Sequence, residues 1–338
     1  MPFAGWKLKR MLFKSGATLP TGTIQGIDKP LSALVQGTAM LPGDDERRMH
    51  ALLDGIVDLG CTVFDTAHVY SNGESERSFG RWMESRRNRD SIVILGKGAH
   101  HSADRKCVTP YDITAHLHDS LARMKTDYID LYMLHRDDPA QPVAPIMETL
   151  HEHITSGKVK AIGASNWTVR RFAEANAFAE SHGLTPFVAS SPQFSLAEMI
   201  DEPWDNCHSI SGPQGESERG WYQEMDVPLF VWSPLAGGFL SGRVSRQNIR
   251  QHEEQLYHRC YTCEANLKRL DRLHSFAREK RISVPQLALA WLLQQPLLLY
   301  PLVGARHPRE FENLTKAFEF ELTPIEMEWL DLERDVLV

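Results

Sequence analysis

From residue 31 onward the chain alternates short apolar, β-rich runs with longer segments whose apolar residues recur every three to four positions, the mark of parallel βα units. Eight runs read as strands: 31–38, 61–65, 91–97, 128–135, 159–163, 186–190, 227–232 and 299–303. Between them the helical period recurs. Asp44 and Asp45 open a helix carrying Met49, Leu52, Leu53 and Ile56, which Gly60 can end in the left-handed conformation. Another helix runs over 74–87. A third has Thr109 as cap, Pro110 in its first turn and Ile113, Leu117, Leu121 and Met124 as its buried stripe. Val143, Ile146, Met147, Leu150 and Ile154 mark a fourth, which stops at Gly157, and further helices are expected over 168–182, 263–281, 284–294 and 308–317.

This order predicts an α/β protein of one (β/α)8 TIM barrel, residues 31–338, with long βα loops and an N-terminal extension over 1–30. The two long irregular segments, 193–226 and 234–262, both follow a strand, a position that in a barrel lies over the catalytic face. Within the extension, Thr21, Gly22, Thr23 and Ile24 fit a hairpin closing the bottom of the barrel; a frayed terminus is the alternative. No repeat, low-complexity tract or linker interrupts the chain.

Composition agrees with a large buried core: 338 residues, 42% hydrophobic and 24% charged. A net charge of -7 leaves no field to hold a polyanion, so small molecules rather than nucleic acid are the expected partners. No run approaches the roughly 18 apolar residues of a membrane span. The basic start (Lys7, Lys9, Arg10, Lys14) lacks the apolar stretch of a secretory signal, and a cytoplasmic protein is expected. Nothing in the sequence speaks to oligomeric state. Five cysteines without regular spacing suit reduced thiols; Cys260 and Cys263 form a C-x-x-C pair that Cys207 and His208 could complete into a zinc site, but with no second such pair no metal is expected.

The chemistry gathers at strand ends. Asp65 and, just past it, Tyr70 follow the second strand, Lys97 the third and His135 the fourth. Strand parity puts Leu131 and Met133 on the face of His135, and Val93 and Leu95 on that of Lys97, so the ionisable groups converge at one barrel mouth. Asp65 and Lys97 inside that mouth are costly unless paired. The cation could then lower the Tyr70 phenol by about two units from its usual pKa near 10 and make it a proton donor, with neutral His135 orienting a carbonyl oxygen. Taken singly, each has a plainer reading as cap, packing or solvated residue; four together at successive strand ends favour catalysis. His116 with His118, and His151 with His153, are two apart on helices and cannot face one ligand. His100 and His101 line either the substrate mouth or, the favoured reading, a solvated loop.

The segments Phe64-Asp65-Thr66-Ala67-His68-Val69-Tyr70, Gly96-Lys97 and 127–135 ending in His135 resemble the catalytic tetrad motifs of the aldo-keto reductases, and 157–166 is similar to that family's fifth-strand motif. The resemblance covers about residues 31–335, with the motifs in the family's order. It implies an NAD(P)H-dependent enzyme in which hydride from nicotinamide and a proton from Tyr70 reversibly reduce an aldehyde or ketone to an alcohol, Asp65, Lys97 and His135 assisting. It further implies that Ser165, Asn166 and Gln193 hold the nicotinamide carboxamide and that Trp232 stacks on the ring, where the family more often has Tyr or Phe. Ser233, Leu235 and Gly237 would belong to a pyrophosphate loop, with Thr38 and Arg243 as further cofactor contacts. Gly304 and Arg306 resemble the site for the adenosine 2′-phosphate, and Glu312 and Asn313 the adenine contacts. That site departs from the pattern: the spacing from Gly304 to Asn313 is one residue short, and Ala305 replaces a hydroxyl residue. Arg306 favours NADPH over NADH; its alternative role is to cap the last helix near Glu310.

No G-x-G-x-x-G follows a strand, so a Rossmann domain is not supported. Two other classes remain. A cofactor-binding ancillary subunit with little turnover is one, since potassium-channel β subunits resemble this family too. A metal-dependent barrel hydrolase is the other, against which stands Lys97 where a ligand would be needed.

Overall fold

Short runs of β-branched and aliphatic residues buried on both faces make parallel strands, and in the computed structural model seven of them pair into one curled sheet. The structure describes residues 19–41 and 45–337. The sheet contains β3 (Val35–Gly37), β4 (Val63–Asp65), β5 (Val93–Gly98), β6 (Ile129–Leu134), β7 (Val159–Ser165), β8 (Ala189–Ser191) and β9 (Leu302–Val303), in the order β8-β7-β6-β5-β4-β3-β9. All its pairings are parallel.

The expected strand at 227–232 is not a regular strand. Its residues make isolated parallel bridges, Leu229 to Ser190 on one side and to Leu299 on the other. Hydrogen bonds from Phe230 N to Ser190 O (2.8 Å) and from Leu302 N to Val231 O (2.9 Å) link the two ends of the sheet through this segment. Pro228 supplies no N–H for a ladder, which accounts for the irregularity. The expected strand at 299–303 likewise shrinks to β9.

The first strand is also corrected. Residues 27–32 belong to a separate antiparallel hairpin, β1 (Thr21–Ile24) with β2 (Ile27–Ser32), and the chain turns at Ala33 and Leu34 before entering β3. The turn is held because the Ser32 hydroxyl donates to Leu34 O (2.9 Å) and accepts from Thr62 N (3.0 Å). Ile24, Ile27 and Leu31 of the hairpin pack with Val35, Val63, Val93, Leu95, Leu131, Met133 and Phe230, so the hairpin plugs the inside of the curled sheet. Gly26, at φ +88, lies so near Lys160 O that a Cβ would sit 2.6 Å from it.

Helices cover the outer face: α1 (Glu46–Asp58), α2 (Glu74–Arg86), α3 (Pro110–Met124), α4 (Val143–Thr155), α5 (Val169–Ser181), α6 (Glu216–Glu224), α7 (Leu256–Tyr261), α8 (Glu264–Lys280), α9 (Val284–Leu293), α10 (Pro308–Thr315) and α11 (Pro324–Leu330). Asp45 and Thr109 cap α1 and α3 through their side chains, and Gly60 follows α1 at φ +89. Asp44 lies outside the described residues. Sequence periodicity missed α6 and α7, which are short and sit in the long loops. It also missed α11, although the capping box of Thr323 and Glu326 was legible.

Candidate active site

Lys97 ends the inward face of β5 and Asp65 that of β4, and the two side chains form a buried ion pair. The Lys97 ammonium also donates to the Tyr70 hydroxyl at 3.2 Å. The Tyr70 and His135 rings meet edge to face, with centroids 5.8 Å apart. Val93, Leu95, Leu131 and Met133 fill the layer beneath, as parity required.

The electrostatics differ from the expectation in one respect. Burial, and then the Asp65 charge, hold the Tyr70 phenol above its ordinary pKa even though Lys97 pulls it down. The cation's effect is spent largely on Asp65, its closer partner. Burial also raises Asp65. For Lys97 burial acts to lower the pKa, but the attraction of Asp65 and Tyr70 wins and the group stays an ammonium. Burial first, then the Lys97 and Arg136 charges, keep His135 well below its usual value, so its ring is neutral. The site therefore holds a protonated phenol, with a fixed cation against its oxygen and an uncharged imidazole beside it.

Tyr70 is placed by a tight loop. Thr66 N donates to Leu95 O (2.9 Å) and His68 N to Lys97 O (2.9 Å), which ties the loop to the neighbouring strand. Ser71 and Asn72 then take left-handed conformations (φ 48 and 51) ahead of Gly73 at φ 86, where α2 begins. A Cβ on Gly73 would lie 2.6 Å from the Arg123 guanidinium. Arg123 Nη1 donates both to His68 O (2.9 Å) and to the fully buried carboxylate of Glu76 (3.0 Å), bracing the loop against α3. His116 stacks on His68 with centroids 4.0 Å apart and accepts the Ala99 N–H at 3.0 Å.

Past His135 the chain reaches the residues expected around a nicotinamide. Ser165, Asn166 and Gln193 are buried and adjacent but much engaged with one another and with the chain. Asn166, at φ 60, donates to His135 O and to Ser165 Oγ (both 3.1 Å) and accepts from His208 N (3.0 Å). Ser165 donates to Ser191 O (2.9 Å). The Gln193 carbonyl accepts from Ser209 (2.5 Å) and Ser211 (2.8 Å), and its Nε2 donates to Ser195 (3.0 Å). Trp232 is half-buried, its ring 6.4 Å from that of exposed Trp204, and its buried Nε1 has no partner.

Beyond Trp232 the backbone turns through positive φ at Ser233, Ala236, Gly237 and Gly238. Among the described residues the N–H groups of Ser233, Leu235 and Gly237 have no protein acceptor. Arg243 is exposed beside Gly238. Gly304 and Arg306 are exposed, and Arg306 N donates to Glu310 Oε2 (2.8 Å), so the backbone of Arg306 does take part in that helix cap while its guanidinium makes no hydrogen bond or ion pair among the described residues. Glu312 is exposed, whereas the Asn313 amide spans to α9, donating to Ser283 (3.0 Å) and accepting from Gln286 (3.0 Å). Thr38, buried after β3, shares a 2.8 Å hydrogen bond with Ser75 at the start of α2.

His100 and His101 are not a solvated loop. The His100 ring packs edge-on against His135, centroids 4.8 Å apart, and both ring nitrogens of His101 are buried without a partner. His151 and His153 bond to Thr185 and Thr114. Cys260 is buried in α7, Cys263 precedes α8, and both are free thiols. Among the described residues no cluster of three His, Cys, Asp or Glu could hold a metal, and no helix is long and apolar enough to cross a membrane. Sequence reasoning missed Glu76 and Arg123, which stand at no strand end and in no periodic stripe, and Arg136, which directly follows His135 past the end of β6.

The family model of the aldo/keto reductases matches residues 33–332. Among curated proteins the chain is 28% identical over 305 residues to an uncharacterized oxidoreductase, YrpG, of Bacillus subtilis, covering 86% of this chain and 89% of that one. It is 29% identical to a putative aryl-alcohol dehydrogenase of Schizosaccharomyces pombe, covering 85% of each. It is also 28% identical to a probable voltage-gated potassium channel subunit beta of Oryza sativa, covering 81% of this chain and 83% of that one. With Asp65, Tyr70, Lys97 and His135 brought together and the family model matching from before β3 to past α11, the chain belongs to the aldo/keto reductase family, a family of NAD(P)H-dependent oxidoreductases.

Proposed function

We propose that this chain is an NADPH-dependent carbonyl reductase that reversibly converts an aldehyde or ketone into an alcohol, with Tyr70 as the proton donor. The observation that carries the reading is the Lys97 ammonium 3.2 Å from the Tyr70 hydroxyl, itself anchored by Asp65. The reading includes a full eight-strand barrel, the segment 227–232 serving as its seventh strand.

The residues present suit a nicotinamide dinucleotide. The unpartnered N–H groups of Ser233, Leu235 and Gly237, on a backbone turned through positive φ, are donors for a pyrophosphate. Arg243 and Arg306 are exposed forks for its phosphates, with Arg306 taking the 2′-phosphate. Trp232 offers a flat face for the ring, and the remaining Gln193 N–H and Asn166 lone pair are free for the carboxamide. Glu312 and Asn313 border the adenine, and Thr38 is a further cofactor contact. When bound, the reduced nicotinamide supplies the hydride.

The raised phenol pKa is compatible with this role. Tyr70 is fully protonated at neutral pH and so carries the proton to be given in the reducing direction, although burial makes it a weaker acid than a free phenol. Lys97 stabilises the phenolate left after transfer, and Asp65 holds Lys97 charged and in place. Neutral His135 donates to the carbonyl oxygen and, with Tyr70, supports the negative charge that develops there.

Tyr70→Phe tests the assignment. Turnover of a carbonyl panel, followed as loss of NADPH absorbance, should fall by at least about 100-fold, while NADPH affinity by fluorescence titration changes less than about threefold. A Phe variant that still turns over at the parental rate removes Tyr70 as donor. If the parent itself is silent across the panel yet binds NADPH tightly, the chain acts as a cofactor-binding subunit, the reading that the potassium-channel relative keeps open.

A further inference from the structure

Arg136 is a buried cation to which the protein gives no counter-charge. It follows His135 at the mouth end of β6 and is 5% exposed. Among the described residues its guanidinium makes one hydrogen bond, Nη1 to His135 O at 3.2 Å, and no ion pair. The other buried arginines are neutralised: Arg171 by Asp137 at 3.4 Å and Arg269 by Asp331 at 3.0 Å. An isolated buried guanidinium is costly, and four of its five N–H donors have no acceptor. Such a group is retained where a ligand completes it.

Its surroundings say which ligand. The guanidinium bonds to His135 O, and the His135 ring meets Tyr70 at 5.8 Å and His100 at 4.8 Å between centroids, so the cation stands beside the groups of the site. Glu202, in the loop after β8, is the carboxylate acting on it but forms no ion pair with it, its side chain accepting the Cys207 N–H at 3.1 Å instead. Buried polar atoms without partners lie on the neighbouring rings: His135 Nδ1 and, reached through His100, both ring nitrogens of His101. Exposed Trp204 stands next to Trp232 and adds a flat apolar wall. A neutral carboxamide could not discharge the guanidinium, and the donors suited to cofactor phosphates lie elsewhere, at 233–243 and Arg306.

Resting on the carbonyl-reductase reading, we propose that Arg136 is the specificity-determining residue of this pocket, and that the substrate is a carbonyl compound whose other end carries an anionic oxygen group, carboxylate or phosphate, on a flat apolar body. The guanidinium fork takes the anion in two parallel hydrogen bonds, which turns the carbonyl toward Tyr70 and His135.

Two measurements test this. In the protein saturated with NADPH, calorimetric titration should show benzoate or phenyl phosphate binding ~10- to 100-fold more tightly than benzyl alcohol, the range for hydrogen bonds to a charged group. The tighter of the two anions identifies the group. If neither anion binds better than benzyl alcohol, the proposal is overturned, and this comparison needs no variant. In turnover, the kcat/KM ratio of 3-carboxybenzaldehyde to benzaldehyde should be well above one, fall toward one in Arg136→Gln and recover in part in Arg136→Lys. Benzaldehyde turned over with a ratio near one refutes the anion site while the reductase reading stands. Benzoate binding that depends on Arg136, with no carbonyl reduced, keeps the anion site and refutes the reductase reading.

Discussion

Removing the Arg123 side chain should destabilise the protein by an amount that depends on pH in a predictable way. Glu76 is fully buried, and its partner in the ion-pair network is Arg123, 3.0 Å away on α3. In Arg123→Met the carboxylate must either remain charged in an apolar setting or take up a proton on folding. Protonation caps the cost: with an ordinary carboxyl pKa of about 4.3, neutralising Glu76 at pH 7 costs 2.7 units at about 1.36 kcal/mol each, or about 3.7 kcal/mol. This lies within the ~3–5 kcal/mol typical of breaking a buried pair. At pH 5 the same step costs only about 1 kcal/mol. The sign follows from linkage. Burial already raises Glu76; without Arg123 its folded pKa lies further above the unfolded value, so the folded variant binds more protons and loses stability as pH rises from about 4.3 through the folded pKa. Urea denaturation of parent and variant at pH 7 and pH 5 measures both differences. Because Arg123 also holds His68 O and flanks Gly73, kcat should fall as the Tyr70 loop loosens, by up to about 100-fold for an ångström of displacement. Adding Glu76→Gln should restore much of the stability at pH 7 but not the loop anchor. A variant that loses less than about 1 kcal/mol at pH 7, or as much at pH 5 as at pH 7, contradicts the argument.

Two further outcomes are expected. Burial, and then the adjacent His68, push His116 down to about 4, so the unfolded chain binds the extra proton first and stability is lost as pH falls from about 6.5 toward 4; His116→Asn, which keeps an acceptor for the Ala99 N–H, should shrink the difference in Tm between pH 7 and pH 5, and an unchanged difference would acquit His116. Arg306→Ala should weaken NADPH binding by about 10- to 100-fold and NADH binding by less than about threefold, as read by fluorescence titration, whereas equal losses would remove Arg306 from the 2′-phosphate.

The sequence by itself determined the order of βα units, the buried stripes of α1 and α3 and the four groups at successive strand ends, because period and strand parity are local properties that burial enforces residue by residue. It also carried the family motifs, since each lies within a single strand and the turn after it. Tertiary structure alone decided the rest. Arg123 braces the Tyr70 loop through His68, 55 residues away in sequence, which no local pattern encodes. His100 reaches His135 because β5 and β6 pair in register, so their exits lie side by side. The Tyr70 phenol rises where sequence suggested a fall, since its pKa is a balance among burial, Asp65 and Lys97 that only three-dimensional distances set. Arg136, one residue past a strand end, became informative only once the fold had buried it without a counter-charge, because desolvation belongs to the packed molecule and not to the chain.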